Sequence, residues 1–179
     1  MWEEMLLFQE GIMKGHKERM STLRHLEETD FQPIIRVVDN WWGGRSVAVL
    51  LQRLFFVHFR PTSFVVEENG TIQGFLVGFR SQTTPTQAYI HFVGTHPQHR
   101  GKGIGRHLYQ HFFEVASTLG CTEVLCITSP INKGSIAFHR HIGFEILPGD
   151  AIIDGIPITS DHDGWGQAHV LFRYQLASS

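Results

Sequence analysis

Residues 98–106, Gln-His-Arg-Gly-Lys-Gly-Ile-Gly-Arg, constrain this chain more than any other stretch, because three glycines at alternate positions join two segments of different periodicity. Ahead of them, residues 88–95 are rich in aromatic and β-branched side chains and predict a strand. Behind them, Ile104, Leu108, Phe112, Val115 and Leu119 recur every three or four residues and predict a helix that stops at Gly120. The stretch is therefore a strand-to-helix turn in which glycine lets the backbone bend and removes side chains that would hold a ligand off. The free N–H groups of the first helical turn, at the positive end of the dipole, favour an anion. Arg100, Lys102 and Arg106 add positive charge at the same point. Such a turn suits a pyrophosphate.

The spacing separates this cradle from two familiar ones. A dinucleotide-binding turn needs G-x-G-x-x-G, but Arg106 and His107 follow Gly105 here, and no G-x-x-x-x-G-K-[ST] run exists in the chain. The pattern instead resembles the Q/R-x-x-G-x-G/A motif of the GNAT N-acetyltransferases, carried by Gln98, Gly101 and Gly103 and extended by Gly105. A second stretch, from Asn132 through Lys-Gly-Ser-Ile-Ala-Phe-His-Arg-His-Ile-Gly to Phe144, is similar to the later signature of the same family. Between the two motifs there is room for the rest of the helix and one strand, Glu123–Thr128, in the family's order. The resemblance spans residues 21–176 and implies the GNAT fold, an α/β single domain with a mixed, mostly antiparallel central sheet flanked by helices.

Length and composition fit that expectation. A chain of 179 residues suits one domain with a sizeable core, here residues 20–179 behind an amino-terminal extension, residues 1–19, with Met13 and Met20 as alternative starts. The net charge of −2 argues against bulk attraction to nucleic acid or an acidic membrane, and no apolar run reaches the roughly 18–20 residues of a membrane span. Cys121 and Cys126 lack C-x-x-C spacing and read as small buried side chains in a reducing compartment, so a cytoplasmic enzyme is expected. A homodimer is compatible with all of this.

Residues 21–25 predict a first strand, and Thr29 an N-cap for a helix through Ile34 and Val38 ending near Trp41-Trp42-Gly43-Gly44. Residues 46–58 predict a second helix. The aromatic pair Trp41–Trp42 lines an acceptor pocket on the family resemblance, or else caps the core. Asn69-Gly70 between apolar runs predicts a hairpin joining residues 63–66 to Thr71–Arg80. Residues 144–147 and 169–176 predict the last two strands, with residues 149–166 a long loop or extended arm between them.

The resemblance implies an acetyl-CoA-dependent N-acetyltransferase that passes acetyl directly to a primary amine of a small molecule or peptide. Alternatives are an inactive acyl-CoA-binding regulatory module and an O-acyltransferase. It places the pantetheine arm along the backbone of Val93, Gly94 and Thr95, whose N–H groups would also polarise the thioester. The pyrophosphate would lie on Gly101, Lys102, Gly103, Ile104, Gly105 and Arg106, near Gln98 and Arg100, with Asn132 holding the pantetheine further along. Where many relatives have a proton-donating tyrosine, seven residues after that Asn, this chain has His139, which also borders the cofactor. A histidine there either donates or relays a proton, or is a packing side chain.

The family often places a glutamate on the strand after the long helix, where this chain has Ile127. No base carries over at that position, and His91, or Asp161, His162, Asp163 and His169 near the last strand, are the candidate bases, acting directly or through water. His107 and His111 stand at i, i+4 with no Glu completing H-E-x-x-H, so a solvated face is expected and no metal.

Overall fold

The computed structural model describes residues 21–177, so the expected extension at residues 1–19 lies outside the described residues. In chain order its strands are β1 (Ser21–His25), β2 (Phe64–Glu68), β3 (Thr71–Arg80), β4 (Gln87–Thr95), β5 (Glu123–Thr128), β6 (Glu145–Ile146), β7 (Ala151–Ile153), β8 (Ile156–Ile158) and β9 (Val170–Gln175). Its α-helices are α1 (Phe31–Trp41), α2 (Arg53–His58), α3 (Ile104–Thr118) and α4 (Lys133–His141). A seven-stranded sheet runs in the order β1-β2-β3-β4-β5-β9-β6, and β7 and β8 form a separate hairpin. Among the described strands of this sheet, only β4 and β5 pair in parallel. This is the expected mixed, mostly antiparallel sheet.

Each face of the sheet carries its own core. Ile34, Val38 and Trp41 of α1 and Phe56 of α2 pack against Val65, Phe75, Val77 and Phe92 on one side. On the other, Leu108, Phe112 and Ala116 of α3 and Ile136 of α4 pack against Leu76, Ile90, Val124 and Phe172. Asn69 and Gly70 both take positive φ, 51° and 75°, as a tight hairpin turn between β2 and β3 requires. Helix α3 ends as its stripe predicts, with Gly120 at φ 79°.

Three expectations change. Glu28–Asp30 is a one-turn 3₁₀ segment, so Thr29 is not the cap; the Asp30 carboxylate instead accepts from the Glu27 N–H at 2.8 Å and from Arg24. The helix expected over residues 46–58 is broken into a 3₁₀ turn, Ala48–Leu50, and α2. Asp39 takes the N–H groups of Val47 and Ala48, both at 2.8 Å, and Gln52 adopts an extended ψ of 148° that no helix can carry through. Part of the expected loop over residues 149–166 is the β7–β8 hairpin, pinned to α4 by Lys133 and Asp154 at 2.7 Å.

Two departures from regular pairing position the site. Between Val77 and Gly78 of β3 the partners on β4 step from Phe92 to Ile90, which leaves His91 as an extra residue in a bulge. The extra residue reverses the alternation. Ile90 and Val93, three apart, both face the α3 side, whereas Phe92 faces α1. The second departure is a splay: β4 and β5 pair from Gln87 with Glu123 to Ile90 with Cys126 and then separate. Beyond that point β5 pairs only with β9, and β4 only with β3.

Candidate active site

The strand-to-helix turn forms where the sequence places it. His96 caps the 3₁₀ turn Pro97–His99 by accepting from the Gln98 N–H at 3.2 Å, and the chain then turns through Gly101 at φ 76° and Gly103 at φ 85° into α3. Both glycines face open space where a side chain would stand. The first N–H of the helix to find a backbone acceptor is that of His107, on Gly103 at 2.9 Å, so among the described residues the N–H groups of residues 101–106 are left for another acceptor. Lys102 and Arg106 are exposed beside them. Arg100 is a correction to the expected basic cluster: its guanidinium is turned onto the carbonyl of Trp41 at the end of α1. It ties the turn to that helix instead of facing the cradle.

Beside the cradle runs the unpaired edge of β4, where Val93, Gly94 and Thr95 present alternate N–H and C=O groups to the gap between β4 and β5. A Cβ on Gly94 would stand 2.5 Å from the Phe75 ring and 3.0 Å from Trp42, so only glycine lets the tryptophan cover this edge. The two tryptophans therefore divide. Trp41 is buried on Phe75 and His96, while Trp42 lies half-buried over Phe92. Asn132 caps α4 through Oδ1, which accepts from the Ser135 N–H at 3.2 Å and leaves its amide N–H groups free.

His91 and His139 occupy opposite faces of the gap. At the bulge, His91 stacks on Phe55 at 4.3 Å and its Nε2 lies 2.8 Å from the Leu50 carbonyl. A carbonyl only accepts, so Nε2 carries the proton and Nδ1 keeps its lone pair. His139 is buried, 6% exposed. Its Nδ1 donates to the Ser135 carbonyl at 2.7 Å, so Nε2 is the acceptor for the Tyr109 hydroxyl, also at 2.7 Å. Burial holds the imidazole below its ordinary value and outweighs the Ser135 bond, which raises it. Burial pushes the Tyr109 phenol far up, and Cys126, the last β5 residue paired with β4, adds to this. The Tyr109–His139 pair thus lies in the core on the α3–α4 side of the sheet, with His139 stacked on Phe172.

Residues 20–144 match the sequence model of the Acetyltransferase (GNAT) family. The chain belongs to the GNAT family. That match takes in the cradle and the Asn132 signature, and it stops at Phe144, before β6. Among curated GNAT relatives, L-2,4-diaminobutyric acid acetyltransferase of Virgibacillus pantothenticus is 42% identical over 75 residues, 42% of this chain and 45% of that protein. L-amino acid N-acyltransferase MnaT of Escherichia coli K12 is 31% identical over 84 residues, 46% of this chain and 49% of that one. The matches to these relatives thus span less than half of their length. The fold is shared with diaminobutyrate acetyltransferase EctA of Paenibacillus lautus, solved with L-2,4-diaminobutyric acid and coenzyme A: TM-score 0.64, 18% identity, 88% of this chain and 96% of that one. YncA of Salmonella typhimurium, solved with acetyl-CoA, gives a TM-score of 0.63 at 20% identity over 89% and 96%.

Tyr109 is the candidate residue that sequence reading missed. It falls one position beyond Leu108 and outside the stripe that packs on the sheet, but with Phe113 at i+4 it forms a second stripe against Phe138 and Phe144. A polar aromatic on such a stripe needs a buried partner, and that was the available signal. Of the alternative bases, His162, Asp163 and His169 come together, while Asp161 accepts from the Gly166 N–H at 2.6 Å. His111 packs edge-on against Phe64, and among the described residues no group of three or more His, Cys, Asp or Glu has the arrangement to hold a metal.

The depressed His139 has a consequence for stability. The folded state resists protonation that the unfolded chain accepts below about pH 6.5, so this contribution is full above that pH and is lost as the pH falls toward the lowered folded value. Within that window the loss is at most about 1.4 kcal/mol per pH unit. Thermal melts between pH 8 and 5 should show it, and His139→Gln, which can donate to Ser135 and accept from Tyr109, should flatten that one-proton component.

Proposed function

We propose that this chain is an acetyl-CoA-dependent N-acetyltransferase acting on a primary amine of a small molecule. The observation that carries the reading is the continuity of two unpaired backbone surfaces: the helix start at residues 101–106 and the β4 edge at Val93, Gly94 and Thr95. The first fits a pyrophosphate. The second fits an amide-bearing arm lying as an added strand, with Asn132 beyond it. Bound there, acetyl-CoA supplies the activated acetyl group. Backbone N–H groups on the β4 edge polarise the acetyl carbonyl without reorganising.

His91 is the base in this proposal. Its Nδ1 lone pair is fixed by the Leu50 bond, and it stands on the α1–α2 face of the gap, opposite His139. An amine of ordinary basicity near 10 must lose a proton before it attacks. For the departing sulfur the pair Tyr109 and His139 acts as a relay. Negative charge at the gap favours a protonated His139, whose Nε2–H then donates to the Tyr109 oxygen and frees the Tyr109 O–H for the sulfur. After transfer His139 is neutral again and one solvent proton has been delivered. Two buried, unbridged cysteines, Cys121 and Cys126, fit the cytoplasm as the place of action, and no described helix is long and apolar enough to cross a membrane.

Thiol release from acetyl-CoA over a panel of primary amines tests the reading, with amine-dependent turnover expected. His139 has both ring nitrogens bonded in the resting state, which favours the competing reading of a binding module without turnover. Tight acetyl-CoA binding with no amine-dependent release would establish that module. Because Arg100 is engaged elsewhere, Lys102 and Arg106 carry the charge at the cradle. Acetyl-CoA affinity should fall with added salt, and less steeply in Lys102→Ala; parallel slopes would assign Lys102 to solvent.

A further inference from the structure

Past the end of the family match, residues 159–169 form a closed loop that nothing in the cradle chemistry requires. Thr159 and His169 bridge its base with paired backbone bonds of 2.9 and 3.0 Å. Asp150 accepts from the Ser160 N–H and hydroxyl, both at 2.9 Å, and Asp161 closes the tip on the Gly166 N–H. Two of the three carboxylates near the loop therefore hold its shape. The third, Asp163, is 53% exposed and bonds to no donor within hydrogen-bond range among the described residues.

What surrounds Asp163 is unusual. His169 Nδ1 donates to the Gln167 carbonyl at 3.0 Å, which turns Nε2 toward Asp163, 3.6 Å away. His162 Nε2 stands 3.9 Å from the other carboxylate oxygen, and the two rings are 5.8 Å apart. Both separations exceed the roughly 3.2 Å limit of a good N–H···O bond. An exposed carboxylate and two imidazole nitrogens thus converge with no hydrogen bond among them. A primary ammonium carries three donors and one positive charge on a compact head, which matches that set.

The loop also lies on the correct face. Val170 and Phe172 point into the α3–α4 core, so by alternation His169 points to the opposite face, where His91 stacks on α2. His169 immediately precedes the Val170–Thr128 pair, at the end of β5 that has left β4. Asp163 is near enough to Tyr89 on β4 to help hold its phenol up, and Tyr89 itself lines a cleft of about 180 Å³ with Phe79, Gln87 and Leu125 at the start of β4. From the β4 edge to β9 is two strand spacings, at least roughly 10 Å.

We infer that Asp163, His162 and His169 form a binding site for the second, non-reacting ammonium of a diamine acceptor, whose other amine is acetylated at the β4–β5 gap. The inference rests on the N-acetyltransferase reading and adds the substrate class. The reacting amine is not the one held here: a carboxylate partner stabilises the ammonium form, and an ammonium cannot attack a thioester. His91, the base for the other amine, lies among aromatic rings, Phe55 and Phe92.

The test compares diaminoalkanes, from propane to hexane, with alkylamines in which a methyl group replaces the second ammonium. The wild type should show KM at least about tenfold lower for the best diamine than for its alkylamine, at similar kcat. Asp163→Asn should bring the ratio of diamine to alkylamine KM to about one, with circular dichroism to confirm that the variant folds. In 4-aminobutyrate a carboxylate takes the place of the ammonium, so the wild type should use it poorly and Asp163→Asn better. Equal diamine preference in wild type and variant, or none in the wild type while alkylamines still turn over, overturns the ammonium site and leaves the acetyltransferase reading standing. Absence of thiol release with every amine overturns that reading too. A diamine preference abolished by EDTA and restored by zinc would replace the ammonium site with a metal site.

Discussion

Gly103→Val is expected to weaken acetyl-CoA binding by roughly ten- to hundredfold in a chain that still folds, the cost of a strained left-handed residue being about 1–3 kcal/mol. Gly103 caps α3 at φ 85°, and no atom lies within 4 Å of where its Cβ would stand. The substitution therefore creates no clash. A β-branched residue leaves that φ at little cost in the free protein, because the turn is exposed, and binding must then restore it. Gly105→Ala is the contrast. Gly105 lies inside the helix, and its Cβ would meet the Phe138 ring at an ordinary 3.5 Å, so the backbone should be unchanged. Calorimetry beside circular dichroism reads both variants. Unchanged affinity in folded Gly103→Val would remove the cradle from the account.

The glycine turn into α3 was legible because its determinants are local. Alternate glycines, a β-rich segment before them and a helical stripe after them dictate a turn with free N–H groups whatever the rest of the chain does. The Asn69-Gly70 turn was legible for the same reason, since two positive φ angles in succession select those residue types. His91 shows where that logic stops. Its identity was read, but its position at a bulge depends on how β4 pairs with β3, and pairing is not written in either strand alone.

The broken helix over residues 46–58 is a second case. Its apolar spacing suits a helix, yet the Asp39 carboxylate takes the Val47 and Ala48 N–H groups, and that competition comes from α1. At Asp163 the sequence showed four scattered acids and imidazoles, and only the loop closure decides which are structural and which converge. The register of His139 was correctly counted from Asn132. Its bond to Tyr109 was not, because the two residues lie on different helices, thirty positions apart.

That bond shapes the last prediction. Near pH 7, with an amine that the wild type acetylates, His139→Ala should lower kcat by about 10²–10⁴-fold, the range for a lost general acid, with little change in acetyl-CoA affinity. Tyr109→Phe should lower kcat comparably, because in a relay the group that meets the sulfur is the phenol. His139→Ala also strands a buried hydroxyl, at about 1–3 kcal/mol, so melting curves must show both variants folded at the assay temperature. Restoring the family's usual tyrosine by His139→Tyr alone should fail: the Tyr109 oxygen already stands 2.7 Å from Nε2, in the space a longer ring would enter. Combining it with Tyr109→Leu clears that space and should recover part of the rate. A thiol near 8.5 can leave unaided at high pH, so the comparison belongs at neutral pH. Full activity of folded Tyr109→Phe beside an impaired His139→Ala would leave His139 acting alone. Full activity of both would make the pair a packing contact in the core.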